Sequence, residues 1–465
     1  MRKKSPAISI LLLCVALLAS CGGSEENTSL SLHIDLPEGW ESLIDMEVLG
    51  APVSTPYVGS IRVVVENGIE TNTWEFPWED RVGTTGKADL SGASVVRVQA
   101  VTAGTVIMEE SLTGVQGPDV SVTLKESGGF SAAGSLLYYR EDHSAIAVGD
   151  TIIVIGGNLS TGVIEAVASS GEVFSASAYA ASLVYPRKGQ EVLHDTGTGR
   201  LFVFKGTFNN QEDNIFELID TSNIESNILS LTSYRKDFFP VIFDQNVFLF
   251  NGLNQNDNWL MDTLTLNIDS FEESIATLLG ANSERKNYSC TNIGHNFLCA
   301  GGRIDLTYLN DVYRFDLNLK INLSKTFLSS AKEKFSITRL NDSQILIAGG
   351  IGSEGFLKEI EIIDVESGVS SFFGSGLIKA RANHAAIKID LNRVLILGGL
   401  EPSQTSQSAE ILDLTTGKST ELPWRMRVPR AGHTATLLPD GRVLVIGGNM
   451  GDKTIEVWNP PTEFP

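Results

Sequence analysis

Histidine and cysteine are scarce in this 465-residue chain, with six of the first and four of the second. They do not fall at the short Cys/His spacings of a structural metal site, so no metal ligand set is expected. Basic residues are outnumbered, 35 Lys and Arg against 56 Asp and Glu, for a net charge of −21. That balance repels phosphate backbones and anionic lipid, so nucleic acid is not an expected partner. Long apolar runs are missing as well. The one candidate, "AISILLLCVALLA" at residues 7–19, is too short for a settled membrane span. No Ser/His/Asp set can be assembled from spacing, and "GSGLIKA" at 374–380 lacks the spacing of a phosphate-binding glycine loop.

What is present begins with an address. A basic head, "MRKK", precedes the apolar run, which ends in Leu18-Ala19-Ser20-Cys21. This arrangement resembles the lipobox of bacterial lipoproteins. The resemblance implies cleavage before Cys21 and acylation of that residue, with residues 1–20 as signal peptide and 21–28 as tether. Gly22 after the Cys resembles the outer-membrane class, with the face of that membrane left open. Loss of Arg2, Lys3 and Lys4 would take the net charge to −24. Membrane attachment is then expected from acyl chains and not from a basic surface.

With Cys14 in the signal and Cys21 lipidated, Cys290 and Cys299 remain, placed symmetrically about a turn in "SCTNIGHNFLCAGG". They can face each other on neighbouring strands. Two readings stay open, a disulfide and a pair of small buried apolar residues. The second is favoured, because most cross-strand pairs have poor disulfide geometry.

Internal repetition dominates the rest. Apolar strands ending in glycine occur as "TIIVIGG", "RLFVFKG", "NVFLFNG", "NFLCAGG", "QILIAGG", "RVLILGG" and "RVLVIGG". Their final residues are Gly157, Gly206, Gly252, Gly302, Gly350, Gly399 and Gly448, in steps of 49, 46, 50, 48, 49 and 49. A basic residue opens nearly every repeat, at Arg140, Arg187, Arg235, Lys332, Arg381 and Arg430. The fourth repeat has Glu284 in register with Arg285 beside it. In repeats two to seven a second apolar strand follows the glycine and closes on Asp or Asn, as in "FELIDTS" and "EILDLTT"; these residues suit a turn because their side chains bond local backbone.

This pattern resembles the kelch family, in which each repeat is one four-stranded blade of a β-propeller. The late aromatic of the family is mostly missing, and repeats two and three keep one glycine of the pair. The resemblance implies an all-β, seven-bladed kelch-type propeller over residues 127–465. The last repeat is one strand short, and "GGFSAAGSLLYY" before Arg140 supplies a spare. Residues near 130–139 are therefore expected to close the ring as the outer strand of the last blade. Residues 29–126 lack the period and alternate in short strands, as in a small immunoglobulin-like β-sandwich. Trp74, Phe76 and Trp78 share one face there and are expected in its core.

Two places could hold chemistry. By symmetry, Arg140, Arg187, Arg235, Lys332, Arg381 and Arg430 form a ring about the axis. Resemblance to kelch adaptors, whose arginines hold acidic ligands, makes these the candidate binding residues. The competing reading has each of them bonded to a carboxylate or carbonyl of the neighbouring blade. The Asn-rich loops 207–214 and 253–259 are the other candidate, for glycan or calcium, although solvated loops are the simpler reading. His143, His384 and His433 share one slot, filled elsewhere by Gln190, Phe238, Asn287 and Phe335. A slot that accepts Phe is a packing slot. The expected function is a non-catalytic, lipid-anchored envelope protein binding a protein or glycan, with no cofactor. The alternative is an envelope carbohydrate-active enzyme of kelch type, a sugar oxidase or mutarotase.

Overall fold

The computed structural model describes the backbone of strands between residues 12 and 126 and, with short gaps, residues 129–461. Among the described residues every regular element is a strand. The chain divides into two units. One is residues 132–457, and the other is 1–131 with 458–465.

The larger unit is a seven-bladed propeller. Seven antiparallel sheets follow one another along the chain, each ordered outward from the axis. Blade one is Ser144–Val148, Thr151–Ile155, Val163–Ser170 and Val173–Ser182. The innermost strands of blades two to seven are Lys188–Asp195, Phe239–Phe243, Ser289–Ile293, Ser336–Arg339, Ala385–Lys388 and Thr434–Leu437. Neighbouring innermost strands approach one another from blade one to three and from blade four to seven, and the seventh returns to the first; blades three and four join through their shared apolar cluster. The seventh blade is completed by Phe130–Ser135, which pairs outside Thr454–Trp458. Asn459 N–H donates to Gly129 O at 3.0 Å to extend that seam. The closing strand is thus the one expected, and it stops short of 139.

The second strand of each blade explains the unbroken apolar runs. Ile152–Ile155, Leu201–Phe204 and Val394–Leu397 are buried at every position, because neighbouring blades cover both faces of the sheet. A strand buried on two sides has no reason to alternate. Each such side chain contributes roughly 1.5–3 kcal/mol of transfer free energy. Blades three and four share one cluster, with Phe250 stacked on Phe297 at 4.3 Å between ring centroids.

Cys290 and Cys299 stand directly opposite in register on the inner two strands of blade four, with Cα atoms 4.1 Å apart. They are joined in a disulfide. The favoured expectation of two unbonded packing residues is therefore corrected: side chains of a directly opposed antiparallel pair sit close enough to bond.

In the other unit, one six-stranded sheet contains Ser60–Glu66, Thr71–Glu79, Val95–Thr102 and Thr105–Thr113. A three-stranded sheet contains Leu12–Leu17, Thr28–Asp35 and Asp119–Thr123. The side chains of Trp74, Phe76 and Trp78 lie outside the described residues, as do residues 208–213 and Glu284.

Candidate functional site

The basic residue that opens each repeat is buried and internally paired, in all seven blades. Arg140, Lys332 and Arg381 are 0 % exposed, and Arg187, the most open, is 4 %. Arg140 meets Glu165 at 2.7 Å, Arg187 meets Glu217 at 2.8 Å and Arg381 meets Glu410 at 2.7 Å. Arg235 pairs with Asp262, and Arg430 with Glu456 at 2.9 Å. In blade four Arg285 takes the slot and meets Asp311 at 2.8 Å. Each acid comes from the third strand of the same blade, not from a neighbour. The ring of candidate binding residues is therefore an internal brace. Burial of a guanidinium is tolerated only with such pairing, and the acids meet the need from within an apolar strand.

The second arm of each fork does a further job. Nη1 of Arg187, Arg285, Arg381 and Arg430 donates to the carbonyl of Lys205, Gly301, Gly398 and Gly447 at 2.9, 3.0, 2.5 and 2.6 Å. Arg140 and Arg235 bond Gly156 and Asn251 in the same way. That carbonyl belongs to the first residue of the glycine pair, so the guanidinium pins the turn. Lys332 has no fork. Its ammonium reaches a second carboxylate instead, Glu359 at 2.9 Å beside Glu361 at 2.7 Å.

The turn itself requires positive φ twice, for example 58° and 94° at Gly398 and Gly399. Blades two and three lack the first glycine and hold Lys205 at 55° and Asn251 at 59°. The second position is glycine throughout because the packing slot presses on it. A Cβ on Gly399 would lie 2.7 Å from the His384 Cβ and 2.7 Å from Ala382 O. The second glycine also joins the blades. Gly157, Gly302, Gly350, Gly399 and Gly448 donate N–H to the carbonyl of the basic residue in the next blade.

His143, His384 and His433 fill the slot between blades. His143 Nε2 lies 3.0 Å from Thr434 Oγ1, and His384 Nε2 lies 2.8 Å from Ser336 Oγ. All three imidazoles are held down to about 3, first by desolvation and then by nearby guanidinium groups such as Arg140, Arg381 and Arg430. They are neutral at ordinary pH. Among the described residues no group of three or more His, Cys, Asp or Glu is arranged to hold a metal.

Polar side chains reach solvent one or two residues past the basic brace in blades one to six. Lys188, Lys236, Lys286 and Lys334 stand there in blades two to five, with Glu141 and Asp142 in blade one. The second of these positions has positive φ in Asp142, Gly189, Asn287, Lys334, Asn383 and Gly432. Backbone bonds from Gly189 to Asp142, Asn383 to Lys334 and Gly432 to Asn383 stitch them about the axis. Desolvation at that crowded point raises the Asp142 carboxyl above its usual range, Glu141 adding and Lys188 and Lys334 opposing. This rim, and the loops leaving the glycine pairs on the same side, form the accessible polar mouth. The basic residues that signalled it in the sequence lie one turn beneath it. The bracing acids were legible too, as single carboxylates inside apolar runs such as "VIEAV" and "TIEVW".

No protein-family model matches this chain, and no curated protein matches it. Among solved structures 1131 chains are similar. One, titled "Structure of YjhT", superposes with a TM-score of 0.49 at 14% sequence identity, covering 63% of this chain and 100% of that one.

Proposed function

We propose that this chain is a kelch-type envelope lipoprotein whose propeller is a non-catalytic recognition module for a protein or glycan. The residues before Cys21 would be removed, Cys21 would carry the lipid, and an immunoglobulin-like sandwich would act as spacer. One observation carries the reading of the propeller: the strongest charges near the axis are spent on bracing the blades. What the mouth offers to solvent is a rim of lysines, amides and loop residues, a surface suited to binding. The Cys290–Cys299 bond supports an oxidising compartment, since such bonds persist there.

Two measurements test this. Metabolic labelling with palmitate should mark the wild-type chain and leave Cys21→Ala unlabelled; equal labelling removes the anchor. A combined glycan and peptide array should show ligands retained without turnover. Release of an oxidised sugar, or copper bound in stoichiometric amount, would replace the binding reading with the oxidase one.

A further inference from the structure

Beyond the glycine pairs, blades three to six continue upward as short radial ladders. In blade three Lys236 bridges Leu253, which bridges Trp259. In blade four Lys286 bridges Arg303, and Arg303 pairs with Tyr308 in a two-residue hairpin. In blade five Glu333 bridges Ile351, and Ile351 pairs with Phe356. Blade six repeats the pattern as Ala382, Leu400 and Thr405. Directly opposed residues of antiparallel strands share a face. Each ladder therefore sets an inner residue by the axis, a middle one, and an outer one on the same face.

The outer position holds Trp, Tyr and Phe in three consecutive blades, and all three rings are half-buried, so part of each meets solvent. The inner ladder residues of blades three and four are Lys236, paired with Asp257 at 2.6 Å, and the exposed Lys286; in blade five the exposed Lys334 follows the ladder residue Glu333. Glu333, the single acid among the inner positions, is already taken by Arg303 at 3.2 Å and by Asn287 at 2.8 Å. The result is an arc in which cations lie toward the axis and aromatic rings lie outward, on a chain that is otherwise strongly acidic.

We propose that this arc binds an acidic, uronate-bearing polysaccharide across blades three to five. The carboxylates would face the exposed Lys286 and Lys334, and the sugar rings would lie on Trp259, Tyr308 and Phe356. An aromatic ring offers an apolar face to the C–H side of a sugar and a polar edge beyond it. The amide-rich turn at Asn254–Asn258, folded by Asn254 Oδ1 accepting from the N–H of Asn256 at 2.9 Å and Asn258 at 3.1 Å, suits hydroxyl groups. An acidic peptide would satisfy the lysines but would leave the three rings unused. The inference rests on the binding reading above and names its ligand class.

The test uses the full chain with polygalacturonate, neutral dextran and poly-glutamate, each titrated at low and high salt. Polygalacturonate should bind best, weakening as salt rises, and dextran at least tenfold more weakly. Trp259→Ala with Tyr308→Ala should lower polygalacturonate affinity at least tenfold. Lys286→Glu should lower it and reduce its salt dependence, with the melting temperature showing that each variant folds. Equal binding of dextran and polygalacturonate, or no binding of either, overturns the proposal. So does tight poly-glutamate binding that survives loss of both rings, which would leave the recognition function standing with a protein partner. New reducing ends in the polygalacturonate would overturn the non-catalytic reading while leaving the arc as its binding site.

Discussion

A buried arginine that touches both a carboxylate and the carbonyl of a tight turn cannot be trimmed without leaving two groups unsatisfied. Arg381 is such a residue, bonded to Glu410 and to Gly398 O. Removing one partner of a buried ion pair costs about 3–5 kcal/mol. Arg381→Ala should therefore lower the urea midpoint sharply, and Glu410→Ala should do the same. The double variant should lose much less than the sum, because neither charge is then stranded. The histidine slot behaves differently. Its neutral imidazoles have folded pKa values far below the unfolded value near 6.5, so only the unfolded state takes up protons as pH falls below that value. The associated stability is complete above about pH 6.5 and is lost progressively toward pH 3. His433→Phe should fold, since Phe238 and Phe335 occupy the same slot, and should flatten the fall of melting temperature between pH 6 and 4. An unchanged slope would place the acid sensitivity elsewhere.

At the scale of elements, the inner hairpin of blade four is the one with a covalent staple. Closing a loop of nine residues' separation constrains the unfolded chain by roughly 2–3 kcal/mol. Reduction should lower the melting temperature without abolishing the fold, since the apolar cores on either side remain, and Cys290→Ser with Cys299→Ser should match the reduced protein. The period, the number of blades and the closing strand were legible in the sequence because glycine at Gly157, Gly302 or Gly448 answers to a backbone requirement that nothing else meets. The role of the basic residues stayed open between ligand and brace for a physical reason. Repetition reveals that Arg140 or Arg381 is needed, but a charge wanted by a ligand and one wanted by a buried carboxylate repeat alike. The fourth repeat shows the same limit: register by counting favours Glu284, whereas the pairing with Asp311 selects Arg285. The radial ladders were not legible at all, because two-residue strands leave no periodicity to read.

At the scale of the molecule, a net charge of −21 opposes any polyanion at long range. The turns between the first two strands are of mixed sign, with Asp342, Asp390 and Asp440 paired to Arg339, Arg393 and Arg442. Approach of a polyanion therefore depends on the lysines of the mouth. Raising salt from 50 to 200 mM should weaken polygalacturonate binding to the wild type several-fold, and charge reversal at Lys286 and Lys334 together should abolish most of that dependence.

The strand Phe130–Ser135 and its partner Thr454–Trp458 are some 320 residues apart in the chain. The strand that begins the circle must wait, as synthesis proceeds, for the strand Thr454–Trp458 to emerge. Until then six blades stand as an open arc with an unsealed edge at each end. The propeller is consequently a late finisher, one whose ring closes only when its first and last strands meet, and its period of vulnerability to association ends with that step.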